Sequence, residues 1–170
     1  MMPIVLIGFR ASGKTALGKR AAKILNLPFL DLDEVFVEKF GDIRKFIKKR
    51  NWQEFRQREA QILQNFAGFS GIISTGGGII ELPENCEFLK KNKTIFIDIP
   101  LSELISRLCQ KKNKRPRLNE KVDLETEIRE KFKDRLPLYK NSAKFTFYPD
   151  INLSKDENSA KLAEFILNLQ

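Results

Sequence analysis

Gly8-Phe9-Arg10-Ala11-Ser12-Gly13-Lys14-Thr15 places two glycines, a lysine and a hydroxyl at the spacing G-x-x-x-x-G-K-T. It lies directly behind the apolar run Ile4-Val5-Leu6-Ile7 and directly ahead of a helical pattern. Glycines take backbone angles closed to other residues, so successive loop N–H groups turn inward and form an anion nest at the positive end of the following helix. That chemistry suits the phosphates of a nucleoside triphosphate. Ala11, Ser12, Gly13, Lys14, Thr15 and Ala16 are the candidate nucleotide contacts, with Lys14 reaching the β/γ-phosphates and the Thr15 hydroxyl on Mg²⁺.

Four other groups of residues could act on what the loop holds. Asp31 and Asp33 finish the run Phe29-Leu30-Asp31-Leu32-Asp33, and on an extended chain residues two apart share a side, so both carboxylates could face one site. A surface turn is the plainer alternative. Arg56 and Arg58 stand on a helical segment, where a lone arginine commonly faces solvent in an ion pair. Gly76-Gly77-Gly78 ends a third strand and is entropically costly unless something must approach that backbone closely; a flexible turn is the alternative. Cys109 to Lys121 carries dense positive charge, Arg115-Pro116-Arg117 and almost no periodic hydrophobe. It reads as a mobile basic lid or as a plain charged loop.

The elements that must position these residues alternate strand and helix along a chain of 170 residues. Strands are expected at 4–7, 29–33, 72–75, 94–99 and 144–148, the last perhaps extending through 150–153. Helices are expected at about 13–27, 34–40, 43–49, 51–66, 82–91, 101–108, 123–139 and 158–169. Such alternation specifies one α/β domain, a parallel sheet covered by helices through right-handed crossovers. The absence of histidine excludes His-based triads and His-ligated metal sites, leaving a hard, oxygen-bound metal. Cys86 and Cys109 read as reduced, semi-buried packing residues. A net charge of +9 fits anionic substrates, and the basic residues lack stacking aromatics at RNA-motif spacing, so no nucleic-acid partner is expected. The opening Met-Met-Pro lacks a basic leader and no apolar run is long enough to span a bilayer, so a cytoplasmic protein without a membrane partner is expected.

Taken together in this order, the phosphate loop, Asp31-x-Asp33, Arg56 behind Phe55, Gly76-Gly77-Gly78, Arg115-Pro116 and Arg135 four residues before Tyr139 resemble the shikimate kinase family across nearly the whole chain. The resemblance implies a three-layer P-loop kinase domain over 1–170, its five-stranded parallel sheet ordered 2-3-1-4-5, with a mobile lid at about 109–121 and substrate-binding helices at about 33–66. It implies transfer of the ATP γ-phosphoryl group to the 3-hydroxyl of shikimate, a Mg²⁺ cofactor and a monomer whose partners are ATP and shikimate. By the same resemblance Thr15 and Asp31 serve the metal, and Asp33 binds substrate hydroxyls and takes the proton. Arg56 and Arg135 grip the substrate carboxylate beside Gly76, Gly77 and Gly78, and Arg115 joins Lys14 at the transferring phosphate. Two departures bear on the nucleotide: the family's common lid reads Arg-Pro-Leu-Leu where this chain has Arg115-Pro116-Arg117-Leu118, and Lys155 is the nearest basic candidate for the adenine contact.

Overall fold

In the computed structural model, which describes residues 2–110 and 123–169, five strands form one parallel sheet. They are β1 (Ile4–Ile7), β2 (Phe29–Asp31), β3 (Ile72–Ser74), β4 (Lys93–Ile97) and β5 (Phe145–Phe147), in the order β2-β3-β1-β4-β5. Around them lie α1 (Lys14–Ile24), α2 (Leu32–Phe40), α3 (Ile43–Lys49), α4 (Trp52–Asn65), α5 (Pro83–Lys91), α6 (Leu101–Gln110), α7 (Leu124–Ser142) and α8 (Lys155–Leu167). The implied sheet order is the one observed. Cys109 and Gln110 complete the last turn of α6, and Cys109 is exposed rather than semi-buried; the rest of the expected lid, 111–121, lies outside the described residues. Arg115 and Arg117 lie outside the described residues.

The strands' alternation sorts the core into two layers, because successive side chains point to opposite faces. Leu6, Ile72, Ile95 and Ile97 meet α1 and α8 through Leu17, Ala21, Ala22, Leu162 and Ile166. Val5, Ile7, Ile73 and Phe96 meet the other helices through Phe36, Phe55, Leu63, Leu89, Leu104 and Ile128. Fully burying one such side chain stabilises the fold by roughly 1.5–3 kcal/mol, which fixes the register and with it the alignment of the strand ends. Asp31 pairs across to Ser74 and Ser74 to Leu6, so the carboxyl ends of β2, β3 and β1 lie side by side. The chain runs from β1 to one side of the sheet and later returns to β4 on its other side. That reversal leaves a crevice at the tip of β1, where ligands of open α/β sheets bind.

α1 approaches the sheet closely at Gly18. A Cβ there would stand 2.5 Å from Leu6 Cδ1 and 3.1 Å from the Phe29 ring, both held in the layer beneath the helix. Gly18→Ala, although it raises helix propensity, is expected to destabilise the protein by about 1–3 kcal/mol through overpacking. Urea unfolding followed by circular dichroism checks this, and a more stable variant would show that the layer yields.

Three expected boundaries are corrected. β2 stops at Asp31, because Asp31 Oδ1 accepts from the backbone N–H groups of Asp33 (2.8 Å) and Glu34 (3.4 Å) and starts α2 at Leu32. Asp33 therefore stands in the first turn of a helix and not on an extended strand. Residues 150–153 add no strand; Asp150 to Leu153 form a turn tied to Asn158. The last helix begins at Lys155, earlier than expected, behind a Ser154–Glu157 capping box.

Candidate active site

The chain turns off β1 into the loop through three residues with positive φ, Gly8 at 155°, Ala11 at 66° and Gly13 at 91°. Gly13 is the N-cap of α1 and offers no side-chain cap, and no acidic residue sits in the helix's first turn. The positive end of the helix is thus left for a ligand with negative charge. Ser12 Oγ is buried without a hydrogen-bond partner among the described residues, and Lys14, 7 % exposed, folds its ammonium back to within 3.3 Å of Phe9 O. Buried polar groups are normally paired. An unpaired hydroxyl at the uncapped N-terminus of α1 fits a phosphate.

Beside the loop, Thr15 Oγ1 donates to Asp31 Oδ2 (2.8 Å) and lies 3.0 Å from Ser74 Oγ. One carboxylate therefore does two things: Oδ1 caps α2 and Oδ2 orients the threonine. The donor set is oxygen only. Among the described residues no cluster of three or more Cys, Asp or Glu could hold a metal by itself. Thr15 Oγ1 and Asp31 Oδ2 are hard oxygen donors of the kind that suit a divalent ion beside phosphates.

Beyond Ser12, Gly13 and Ala16 the cleft is walled by Arg107, Pro149, Ile151, Lys155 and Asn158. Arg107 donates from Nη1 to Ala11 O (3.1 Å) and from Nε to Glu103 Oε1 (2.6 Å), so α6 braces the phosphate loop. Asn158, at 5 % exposure, holds the opposite wall through Asp150. Lys155 thus stands on this cleft. Arg107 was not singled out from the sequence; the Glu103/Arg107 spacing of four residues announced only a local helical pair.

On the other side of Asp31 a second set of groups converges. Arg56, from α4, donates from Nη1 to Glu59 Oε2 (2.7 Å) and from Nε to Glu81 Oε2 (2.8 Å). Arg135, from α7, donates from Nε to Glu81 Oε1 (3.0 Å) and from Nη2 to the same oxygen. Both guanidiniums are buried, one against the rings of Trp52 and Phe55, the other against Phe9. Burial works against the charge of Arg56, but Glu59 and Glu81 together outweigh it and hold its pKa above the ordinary value.

The groups that press on the triple glycine are the protein's own. A Cβ on Gly78 would stand 1.9 Å from Arg56 Nη2, and one on Gly76 would stand 2.2 Å from Glu59 Oε1 and 3.2 Å from Asp33 Oδ1. The turn needs glycine first because a guanidinium and two carboxylates lie against it. It is locked from behind by Tyr139, whose hydroxyl donates to Gly77 O and whose ring stacks on Phe96. Burial pushes the Tyr139 phenol well up, so it stays protonated and able to donate.

Asp31, Asp33, Arg56, Gly76, Gly77, Gly78, Arg135 and the phosphate loop are therefore gathered at one end of the sheet. A family model described as "Shikimate kinase" matches residues 10–167. The chain belongs to the shikimate kinase family. The shikimate kinase of Enterococcus faecalis is 37% identical to it over 149 residues, 86% of this chain and 88% of that one. The Komagataella phaffii pentafunctional AROM polypeptide is 38% identical over 154 residues, 85% of this chain but 10% of that polypeptide. A structure of the Acinetobacter baumannii shikimate kinase in complex with shikimate superposes with a TM-score of 0.87 at 30% identity, covering 100% of this chain and 96% of that one.

Within this shikimate kinase site, Glu59 and Glu81 went unnoticed in the sequence. Burial alone pushes the Glu81 carboxyl up, but Arg56 and then Arg135 outweigh it and hold the carboxyl below the usual carboxylate range. A carboxyl more acidic when folded than when unfolded adds stability that is present above its unfolded pKa and lost as pH falls through the folded one. The thermal midpoint of Glu81→Gln is expected to fall less steeply than that of the parent below about pH 5, where unfolded carboxylates begin to protonate. Parallel melts by circular dichroism between neutral and acid pH decide; two parallel curves would show that the pairing adds nothing to stability.

Proposed function

We propose that this protein transfers the γ-phosphoryl group of ATP to the 3-hydroxyl of shikimate, giving shikimate 3-phosphate and ADP in aromatic amino acid biosynthesis. The observation that carries the reading is the pair of buried guanidiniums, Arg56 and Arg135, converging on one carboxylate position in the same crevice as the phosphate loop. A guanidinium's planar fork suits a carboxylate. Asp33 and Glu59 Oε1, which has no hydrogen-bond partner among the described residues, both lie against Gly76 and supply acceptors for ring hydroxyls between the arginines and the loop.

In this reading the loop N–H groups and Ser12 hold the phosphates, while Lys14 turns from Phe9 O onto the transferring group. Asp33 orients the attacking hydroxyl and receives its proton. Thr15, with Asp31 behind it, would hold Mg²⁺, which would supply positive charge to offset that of the phosphates. Arg115 is assigned to the nucleotide by resemblance and Lys155 by its position on the cleft. The reading needs one copy of the chain, since all these groups come from it; a cytoplasmic monomer with ATP and shikimate as its partners is the proposed form. No helix of the described residues is long and apolar enough to cross a membrane.

Coupled ADP release with Mg-ATP and shikimate, gluconate or nucleoside monophosphates as acceptor tests the proposal. Turnover is expected with shikimate alone, and its absence there would overturn the assignment.

A further inference from the structure

Both arginine forks of the proposed carboxylate clamp close on a side chain of the protein itself. The Arg56 and Arg135 side chains are each 7% exposed, whereas that of Glu81 is 34% exposed. Glu81 is thus the solvent-facing partner of two buried guanidiniums. Its charge has a consequence for a ligand: two guanidiniums meet two carboxylates, Glu59 and Glu81, so the cluster is neutral. A substrate carboxylate entering with Glu81 in place would meet no net positive charge from this cluster and would find the Nε of both arginines, Arg56 Nη1 and Arg135 Nη2 already engaged.

We infer that Glu81 is a resident competitor, a carboxylate that occupies the Arg56–Arg135 clamp and must swing off toward solvent before a substrate carboxylate can enter, which makes it a determinant of affinity and selectivity. The inference rests on the proposed reading of this clamp as the carboxylate site. The local build permits the exchange. Glu81 ends the short 3-10 turn Ile79–Glu81, where its backbone N–H donates to Gly78 O, and its side chain's hydrogen bonds among the described residues go to the two arginines. When it leaves, Arg56 stays anchored to Glu59, which is 3% exposed, and pressed against Gly78.

A tethered carboxylate competes at the high effective concentration of an intramolecular group. Simple acids gain too little from the clamp alone to displace it. A substrate that also engages Asp33 and Glu59 through hydroxyls gains enough.

Trp52, the only tryptophan, lies with its ring 5.4 Å from the Arg56 guanidinium and reports on binding by fluorescence without ATP. Shikimate is expected to bind Glu81→Gln about tenfold more tightly than the parent, the scale of one competing charge-assisted contact removed. Its uncharged methyl ester should gain nothing. Benzoate, a bare carboxylate, is expected to bind Glu81→Ala and not the parent. Circular dichroism shows which variants keep the fold, and either one suffices.

Equal or weaker shikimate binding by a folded Glu81→Gln, or a gain shared by the ester, would overturn the inference and show that Glu81 orients the arginines instead. A parent protein that binds no shikimate would overturn the proposed function. Benzoate binding to Glu81→Ala against the parent would then still decide the competitor role.

Discussion

Asp33→Asn is expected to lower turnover with shikimate by at least about two orders of magnitude, the loss typical of a removed general base, while leaving nucleotide binding nearly intact. The substitution is nearly isosteric and keeps a hydrogen-bonding side chain beside Gly76. What it removes is the capacity to take a proton and the negative charge. The structure limits the collateral damage. α2 is capped by Asp31 and not by Asp33, so the helix keeps its cap and loses only a favourable acidic residue in its first turn, about 0.3–1 kcal/mol. Thr15 of the phosphate loop keeps its bonds to Asp31 and Ser74, and Ala11 O its bond from Arg107. Steady-state kinetics, with nucleotide binding measured separately, divide the possibilities. A fall in kcat with near-constant KM marks a base, and a rise in the shikimate KM alone marks a binding contact. Turnover equal to the parent's would remove Asp33 from the chemistry.

What was legible in the chain beforehand was local. The strand, two glycines, lysine and threonine that open it fold as their spacing says, and alternation of apolar residues in β1 and β4 sorts the two core layers. Some local signals went unread. Asp31-Leu32-Asp33-Glu34 and Ser154-Lys155-Asp156-Glu157 both carry an N-cap with Glu three residues on, the signature of a helix start. Reading it would have ended β2 at Asp31 and begun α8 at Lys155. Glu59 stands three residues after Arg56, a spacing at which helical side chains meet, and could have been named as its partner.

Glu81 is a different case. It lies 25 residues from Arg56 and 54 from Arg135, and only the packing of α4 and α7 against the turn after β3 brings the three together. No pattern in sequence announces such a meeting. The triple glycine was legible as a place of close approach, but which groups approach is set by tertiary packing: Arg56, Glu59 and Asp33.

The second large effect separates what Arg56 does for the fold from what it does for the ligand. Arg56→Met is expected to destabilise the protein by about 3–5 kcal/mol, because it leaves the Glu59 carboxylate buried and without its countercharge. It is also expected to abolish detectable shikimate binding, since Arg135 alone cannot close the clamp. Adding Glu59→Gln in the same chain removes the stranded charge, and Met fills much of the volume between Trp52, Phe55 and Gly78. Replacing a buried ion pair with groups that need no countercharge is often neutral, so the double variant should regain most of the lost stability in urea titrations. Binding should not return with it, because the fork that would meet a carboxylate is still missing. If binding recovered in step with stability, the single variant's defect would be one of folding, and Arg56 would be a structural residue outside the clamp.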